Sequence, residues 1–220
     1  DRRTVQRGRN RLAAHFAAAP VHGALRALRP VLRDRDLGAA GNVRALDEDD
    51  TRLTDDAPNL LEDERQVARL LDVIRRDEPE HYPLIAVLVT TGMRIGTALA
   101  LRRDDFEPER GLIVARQRVS AGEIVEGVKR SRTARDAVPL VDWVWESMRT
   151  AWAGHTDAQV ASGLAFPTRD GGLCARTRIG KPLAHAAKVL GIPRLTPHGL
   201  RRTAALLYRL RAGSAMAKAL

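Results

Sequence analysis

The stretch LTPHGLRRTAALLYRLRAG, residues 195–213, crowds basic side chains into one turn at the start of a predicted helix. Thr196 is a favourable N-cap and Pro197 a favourable first helical residue, so His198 and Arg201 fall in the first turn and share one face. Free backbone N–H groups, the helix dipole, an arginine fork and a histidine donor together suit one phosphate-sized anion. The structural alternative is an arginine paired with a nearby carboxylate and a histidine at the edge of the core.

Two other basic groups lie earlier in the chain. In TTGMRIGTALALRRDDF, residues 90–106, Arg94 follows a glycine corner where a helix begins, so its side chain can project past the helix end into a cleft. The second group is the predicted turn within EGVKRSRTARDAVPL, which carries Lys129, Arg130, Arg132 and Arg135. Such a cationic turn is commonly a solvated tip, but it can equally grip a phosphate backbone.

The charge balance indicates a polyanionic partner. The chain has 37 Lys plus Arg against 27 Asp plus Glu, a net charge of +10 and a pI near 10.9. Arginine accounts for 33 of these cations, and its planar fork matches two phosphate oxygens at once. GC-rich coding would produce a similar excess of arginine and alanine, so composition alone leaves both explanations open.

The apolar residues predict a cytoplasmic protein that makes no membrane contact. No apolar run approaches the roughly 18 residues that a membrane-spanning helix needs, and the basic start lacks the continuous apolar core of a secretory signal. The single cysteine, Cys174, has no second cysteine for an internal disulfide or a metal cluster. We interpret it as a small packing residue.

Three regions are expected along the chain. Residues 1–46 hold 10 arginines against three acids and form a short basic helical segment, or alternatively a frayed basic extension. Residues 47–59, DEDDTRLTDDAPN, lack periodicity and are predicted to be an acidic linker. Residues 60–220 form the main domain.

The main domain is predicted to be α+β, mostly helical, with one small antiparallel sheet. A buried helix ending at Val89 precedes the glycine corner, and the strands GLIVARQRV and GEIVEGV form a hairpin to which DAVPL adds a third strand. Apolar residues at helical spacing predict further helices at 60–77, 141–152, 180–191 and 195–213.

Together these motifs resemble one family, the tyrosine recombinases or phage-type integrases. The family's Thr-Gly-x-Arg corner is matched by Thr91, Gly92 and Arg94, and its hairpin lysine, ahead of a Val-Pro-Leu strand, by Lys129. Its His-x-x-Arg box is matched by HGLR at 198–201, and AFPTRDGG is similar to its Phe-Pro loop. The resemblance extends from about residue 60 to the end. The first 58 residues match loosely and would be a remnant of the arm domain that clamps the duplex.

The resemblance implies site-specific DNA recombination, integration or excision, through a covalent 3′-phosphotyrosyl intermediate, with double-stranded DNA as the partner and no metal or other cofactor. Arg94 and Arg201 would stabilise the charge of the attacked phosphate. His198 would donate to the same oxygens or help to move the tyrosine proton, and Lys129 would be the general acid for the leaving 5′-oxygen. The remaining predicted DNA-binding residues are Arg130, Arg132, Arg135, Arg169, Arg176, Arg178 and Arg202.

Two features depart from the family pattern. The position three residues after the first arginine, where the family commonly has an acid, holds Thr97. The nucleophilic tyrosine is expected beyond Leu220, because Tyr208 lies seven residues after Arg201, about 10 Å further along the helix. Tyr82 is interpreted as a packing residue with a hydrated hydroxyl. We therefore expect this chain alone to be a monomer inactive in cleavage, and the full-length protein to be a homotetramer on synapsed DNA.

Three other functions remain as alternatives. The chain could be a DNA-binding regulator or accessory protein on a decayed recombinase fold, although such a protein needs no general acid at Lys129. A type IB topoisomerase shares the chemistry and differs by relaxing supercoils without a partner site. A metal-dependent nuclease would need clustered carboxylates, and the acids here concentrate at 47–56 in the predicted linker.

Overall fold

The computed structural model describes residues 60–127 and 136–212, with the backbone alone for 136 and 208–212. The predicted segments 1–46 and 47–59 lie outside the described residues, as do Lys129, Arg130, Arg132 and Arg135. The α-helices of the described part are α1 Glu64–Asp77, α2 Tyr82–Thr91, α3 Ile95–Leu99, α4 Asp142–Ala153, α5 Asp157–Ser162, α6 Gly180–Leu190 and α7 Pro197–Ala212. Short 3-10 turns cover Pro79–His81, Arg103–Asp105 and Arg176–Ile179.

Helix α1 is amphipathic, as its sequence predicts. Asp63 caps its first turn by accepting a hydrogen bond from the N–H of Gln66 at 2.7 Å. Its apolar face, Val67, Leu70, Leu71, Val73 and Ile74, is buried in the core. Just before the helix, the N–H of Leu61 donates to the hydroxyl of Thr203 on α7 at 3.0 Å, so the start of the domain is fastened to the helix that carries the His-x-x-Arg box.

Helix α2 is the centre of the fold, because all ten of its residues are buried. The sequence predicted its end at Val89, which is wrong by two residues: the helix continues to Thr91. The hydroxyls of Thr90 and Thr91 donate to carbonyls one turn back, Ala86 at 2.7 Å and Val87 at 2.6 Å, so both threonines fit the helix. Gly92 then ends it in the left-handed conformation.

The strands form two small antiparallel sheets in the described part of the chain, where the sequence predicted one. Strands β1 Phe106–Glu107, β2 Leu112–Ala115 and β5 Asp136–Pro139 pair in the order β1-β2-β5, and β3 Gln117–Ser120 pairs with β4 Glu123–Glu126. The predicted hairpin is confirmed, with Ala121 and Gly122 both at positive φ in its two-residue turn.

The run GLIVARQRV is therefore broken at Arg116. The guanidinium of Arg116 forms ion pairs with Asp105 and Glu107, while its carbonyl accepts the N–H of Gly127 at 2.8 Å. This hydrogen bond closes the base of the β3–β4 hairpin. The predicted third strand, DAVPL, is confirmed as β5, and its partner is β2.

Helices α1, α3, α4 and α7 pack against α2. Helix α7 packs against α2 with Leu200, Ala204 and Leu207 buried, as its spacing predicts. Helix α4 packs on α2 from another side and contributes tryptophans to a cluster with Phe106, whose ring lies 5.2 Å from that of Trp152. The sequence did not predict α5, a helix of six residues capped by Thr156.

Two further expectations concern Cys174 and membrane-spanning helices. Cys174 is half-buried against the core, in agreement with a packing role, and burial raises the pKa of its thiol. None of the helices in the described ranges combines the length and apolar character that a bilayer crossing requires.

Candidate active site

Three of the four predicted catalytic residues line one cleft of about 510 Å³: Arg94, His198 and Arg201. They come from two elements that are far apart in sequence, the corner between α2 and α3 and the first turn of α7. The other residues that line this cleft are Ile95, Gly96, Thr97, Arg118, Val119, Ser120, Arg176 and Pro197. None of these lining residues is an acid, so the cleft is cationic and suited to an anion.

The first turn of α7 has the cap that the sequence predicts. The hydroxyl of Thr196 accepts the N–H of Gly199 at 2.9 Å. His198 is exposed at this end of the helix, whereas Arg201 is buried with 8% of its surface accessible. The sequence predicted that this N-terminus points outward, so the burial of Arg201 is a correction: Arg201 lies about one turn after the exposed His198 and is enclosed.

Arg201 joins the two motifs directly. Its guanidinium donates to the carbonyl of Gly92 at 2.5 Å, between residues 109 positions apart. That carbonyl lies just after α2, where carbonyls lack partners within the helix. The two segments are close here, because a Cβ added at Gly92 would lie 3.1 Å from the Cβ of Ala204. A glycine is therefore required at this corner both for its φ of 64° and for the approach of α7.

Arg94 is the N-cap of α3. Its backbone is extended, and its carbonyl accepts the N–H groups of Thr97 and Ala98 at 2.9 Å, so the side chain is placed at the helix start as predicted. Thr97 itself is 6% exposed and lines the cleft. The position at which the resembling family commonly has an acid thus lies in the cleft and is uncharged here.

Arg176 is the one predicted DNA-binding residue that lines this cleft among those described, and its guanidinium donates to the carbonyl of Val119 at 2.6 Å. Sequence reasoning missed Arg118, which lies in the cleft from strand β3. No local signal in the sequence marks it, because Val119, between Arg118 and Ser120, lines the cleft as well.

Other predicted DNA-binding residues lie elsewhere. Arg169 and Arg178 line a second cleft of about 640 Å³, together with apolar residues such as Leu84 and Phe166. Arg202 is half-buried beside Arg201 but does not line the cationic cleft. Their contact with DNA stays a prediction, as does that of the four basic residues at 129–135 outside the described ranges.

Tyr82 is not among the residues that line the cationic cleft. The ring of Tyr82 is buried, as predicted for a packing residue, but its hydroxyl accepts a hydrogen bond from Arg75, where the sequence predicted contact with water. The Arg75 guanidinium also lies over the ring, 4.6 Å from its centroid. Tyr208 is on α7, and only its backbone is described.

One group of side chains has the composition of a metal site. Oxygens of Glu78 and Glu80 and a ring nitrogen of His81 lie within 4.8 Å of one another, and both carboxylates approach His81 Nδ1 at 3.5 Å. Glu80 and His81 line the second cleft, so this group is separate from the cationic one. Surface acids form such groups without a metal, and the group alone does not establish a metal site.

Comparison with known families decides the family of the chain. The sequence model of the phage integrase family matches residues 61–213, which include the glycine corner, the hairpin and the His-x-x-Arg turn. The chain belongs to the phage integrase family. This match covers well over half of the chain, and it confirms the resemblance that the motifs carry. A comparison with curated proteins gives no match.

Solved structures of similar fold include a site-specific recombinase and two integrases. A XerH recombinase bound to its difH substrate has a TM-score of 0.55 at 23% identity, covering 74% of this chain and 47% of that one. The Tn1549 transposon integrase with transposon right-end DNA has 0.57 at 19%, covering 76% and 59%. A lambda integrase dimer on a core site has 0.51 at 14%, covering 72% and 43%. The chain spans about half the length of the XerH chain, and at these identities the likeness shows the fold.

Proposed function

We propose that this chain is the catalytic domain of a tyrosine-type site-specific DNA recombinase, which cleaves and rejoins DNA for integration or excision. The observation that carries the proposal is the joining of Arg94, His198 and Arg201 in one cleft, to whose lining the described residues contribute no acid. Membership of the phage integrase family supports the same function.

The cleft supplies what phosphoryl transfer to an alcohol needs. As a tyrosine oxygen attacks the phosphorus, negative charge grows on the two non-bridging oxygens, and fixed guanidinium groups stabilise it. Arg201 is buried and held by the Gly92 carbonyl, so its orientation is set before DNA binds. Arg94 would take the second position and His198, at the positive end of α7, would donate to the same oxygens.

The rest of the reaction falls to groups outside the described residues. In the proposal a tyrosine beyond Leu220 gives up its phenolic proton, which His198 helps to move, and forms the bond to phosphorus. The bond to the 5′-oxygen breaks, and Lys129 gives that oxygen its proton. The products are a 3′-phosphotyrosine and a free 5′-hydroxyl. A 5′-hydroxyl from a second strand reverses the step and joins new partners, so the energy of the broken bond is retained.

Duplex DNA is the proposed partner. The Tn1549 integrase structure contains transposon right-end DNA, the XerH structure its difH substrate and the lambda structure a core site. The net charge of +10 on this chain suits such a polyanion. We extend the proposal to a homotetramer of the full-length protein on two synapsed sites. The substrate agrees with the cytoplasmic location expected from the sequence.

The test is a covalent adduct. The binding site is first selected from random duplexes, and a nicked suicide duplex containing it is incubated with the chain extended to its natural C-terminus. A protein–DNA band that survives denaturation and is removed by protease, with DNA mapped to a tyrosine by mass spectrometry, is the expected result.

Two outcomes would overturn the proposal. Tight, salt-sensitive binding without an adduct would indicate a DNA-binding protein that lacks strand transfer. Relaxation of supercoiled plasmids without the selected site would indicate a topoisomerase. The 220-residue chain is the matched control and should bind DNA without forming the adduct; an adduct from it would bring Tyr208 back as the nucleophile.

A further inference from the structure

Two arginines enter the cationic cleft in addition to those of the recognised motifs. Arg118 comes from strand β3, and Arg176 comes from the start of the 3-10 turn Arg176–Ile179. Neither belongs to the Thr-Gly-x-Arg corner or the His-x-x-Arg box. With them, four arginines of the described ranges line the cleft instead of two.

Both guanidinium groups are held by backbone carbonyls of the β3–β4 hairpin. Arg118 Nη1 donates to the carbonyls of Gly127 at 2.8 Å and Glu126 at 3.2 Å, and Arg176 Nη2 donates to that of Val119 at 2.6 Å. A carbonyl orients a guanidinium without neutralising its charge, and each group keeps N–H donors for a ligand.

No carboxylate of the described ranges forms an ion pair with Arg118 or Arg176. Other arginines of the domain differ: Arg116, two positions before Arg118, is paired with Asp105 and Glu107. The positive charge of the two cleft arginines is therefore not compensated by a carboxylate of the described ranges, and the backbone orients both groups, which suits a fixed phosphate site.

Gly96 makes room for Arg176. A Cβ at this position would lie 2.7 Å from Arg176 Nη2 and 3.0 Å from the Val119 carbonyl. Gly96 is the second residue of α3, the helix that Arg94 begins. The absence of a side chain lets the guanidinium lie between α3 and the hairpin, so the site is built by three segments.

We infer that Arg118 and Arg176 bind a second DNA phosphate, adjacent to the one held by Arg94, His198 and Arg201. A phosphodiester carries one negative charge, which the two positive charges of Arg94 and Arg201 already exceed. Along one strand of DNA the charges recur about every 3.4 Å of the helix axis, so a cleft that holds one phosphate faces its neighbours. This inference rests on the proposed function, since it needs DNA in the cleft.

The first test is the salt dependence of binding. We expect Arg118→Gln and Arg176→Gln each to lower the slope of log K against log salt by about one and to weaken binding several-fold. Arg149→Gln is the matched control, because Arg149 is exposed on α4 and paired with Glu146, outside the cleft. Arg118→Lys keeps the charge and should keep the slope.

The second test locates the phosphate. Duplexes carry one neutral methylphosphonate at successive positions around the cleavage site, and a double-mutant cycle compares wild type with each glutamine variant. We expect the neutral linkage next to the cleaved one to weaken binding by the wild type more than binding by Arg118→Gln or Arg176→Gln, because each variant keeps only one arginine of the pair. The inference is overturned if every neutral linkage weakens binding equally in the wild type and the variants. It is also overturned if the salt slope is unchanged in both variants.

Failure of the second phosphate site can be distinguished from failure of the proposed function. An adduct formed by the wild-type extended chain, together with variants of unaltered slope, removes the second phosphate site and leaves the recombinase in place. Thermal unfolding of each variant shows whether the substitution has disrupted the hairpin. If Arg118→Lys fails to restore the slope of log K against log salt that Arg118→Gln lowers, Arg118 has a structural role and does not bind the phosphate.

Discussion

The guanidinium of Arg201 donates to the carbonyl of Gly92 at 2.5 Å and so ties the first turn of α7 to the end of α2. Arg201 belongs to the His-x-x-Arg box and Gly92 to the Thr-Gly-x-Arg corner, so this hydrogen bond holds the two motifs together. Since Gly92 is two residues before Arg94, the same contact fixes the spacing between the two arginines that the proposed reaction needs. Geometry at one motif is thus controlled by the backbone of the other.

Replacing Arg201 by lysine should lower the rate of adduct formation by about 100- to 1000-fold, the range found when one fixed donor to a developing oxyanion is lost. Lysine keeps the charge but lacks the fork that can serve Gly92 and a phosphate oxygen together. The rate is measured in single turnover with the suicide duplex and the extended chain. Arg149→Lys, on the exposed face of α4, should react at the wild-type rate. Equal rates for Arg201→Lys and wild type would remove Arg201 from the machinery.

Gly92→Ala should destabilise the domain by about 2 kcal/mol, the sum of a left-handed alanine and a crowded contact. The matched control is Gly191→Ala, because Gly191 ends α6 with a φ of 68° and a Cβ there meets nothing within 4 Å. The control should therefore lose about 1 kcal/mol. Urea unfolding of both variants measures the difference. Equal losses would mean that Ala204, 3.1 Å from the added Cβ, yields without cost.

Thr203→Val should destabilise the domain by about 1–3 kcal/mol, because it removes the only acceptor seen for the Leu61 N–H in the described part of the chain and leaves that group buried. Valine has nearly the same shape, so packing is preserved. Thr203→Ser keeps the hydroxyl and loses one methyl group, and we expect it to cost about 1 kcal/mol. Thermal unfolding compares the two, and a valine variant as stable as the serine variant would contradict the prediction.

The elements that could be predicted are those whose signals are local. The cap at Thr196 and the apolar spacing of α7 are written in neighbouring residues, and the structure confirms both. The break at Arg116 could not be predicted, because it depends on carboxylates at Asp105 and Glu107 that the strand meets only after folding. The periodicity of the apolar residues in GLIVARQRV predicts one continuous strand.

The same distinction holds at the site. Arg94, His198 and Arg201 have motif positions, so their types and spacing could be recognised before folding. Arg118 has no motif, and its role depends on the register that brings β3 beside the carbonyl of Gly127. Long-range contacts of this kind leave no trace in local spacing, and the structure is needed to find them.

The last prediction concerns pH. His155 Nδ1 lies 2.6 Å from the Arg103 guanidinium, and burial, with a smaller contribution from that cation, lowers the pKa of His155 below its ordinary 6.5. The folded state thus favours neutral imidazole, with Nδ1 accepting from Arg103. Since the unfolded chain binds the proton more readily, the stabilising contribution is full above pH 6.5 and is lost as the pH falls through the folded-state pKa.

His155→Gln should remove this component, because a glutamine oxygen can still accept from Arg103 but does not titrate. The urea midpoint of the wild type should fall more than that of the variant when the pH is lowered from neutral to well below 6.5. The difference between the two proteins isolates His155 from other groups that titrate in the same range. Parallel midpoints over the whole range would show that protonation of His155 costs the fold nothing, and that the Arg103 guanidinium moves away when the proton binds.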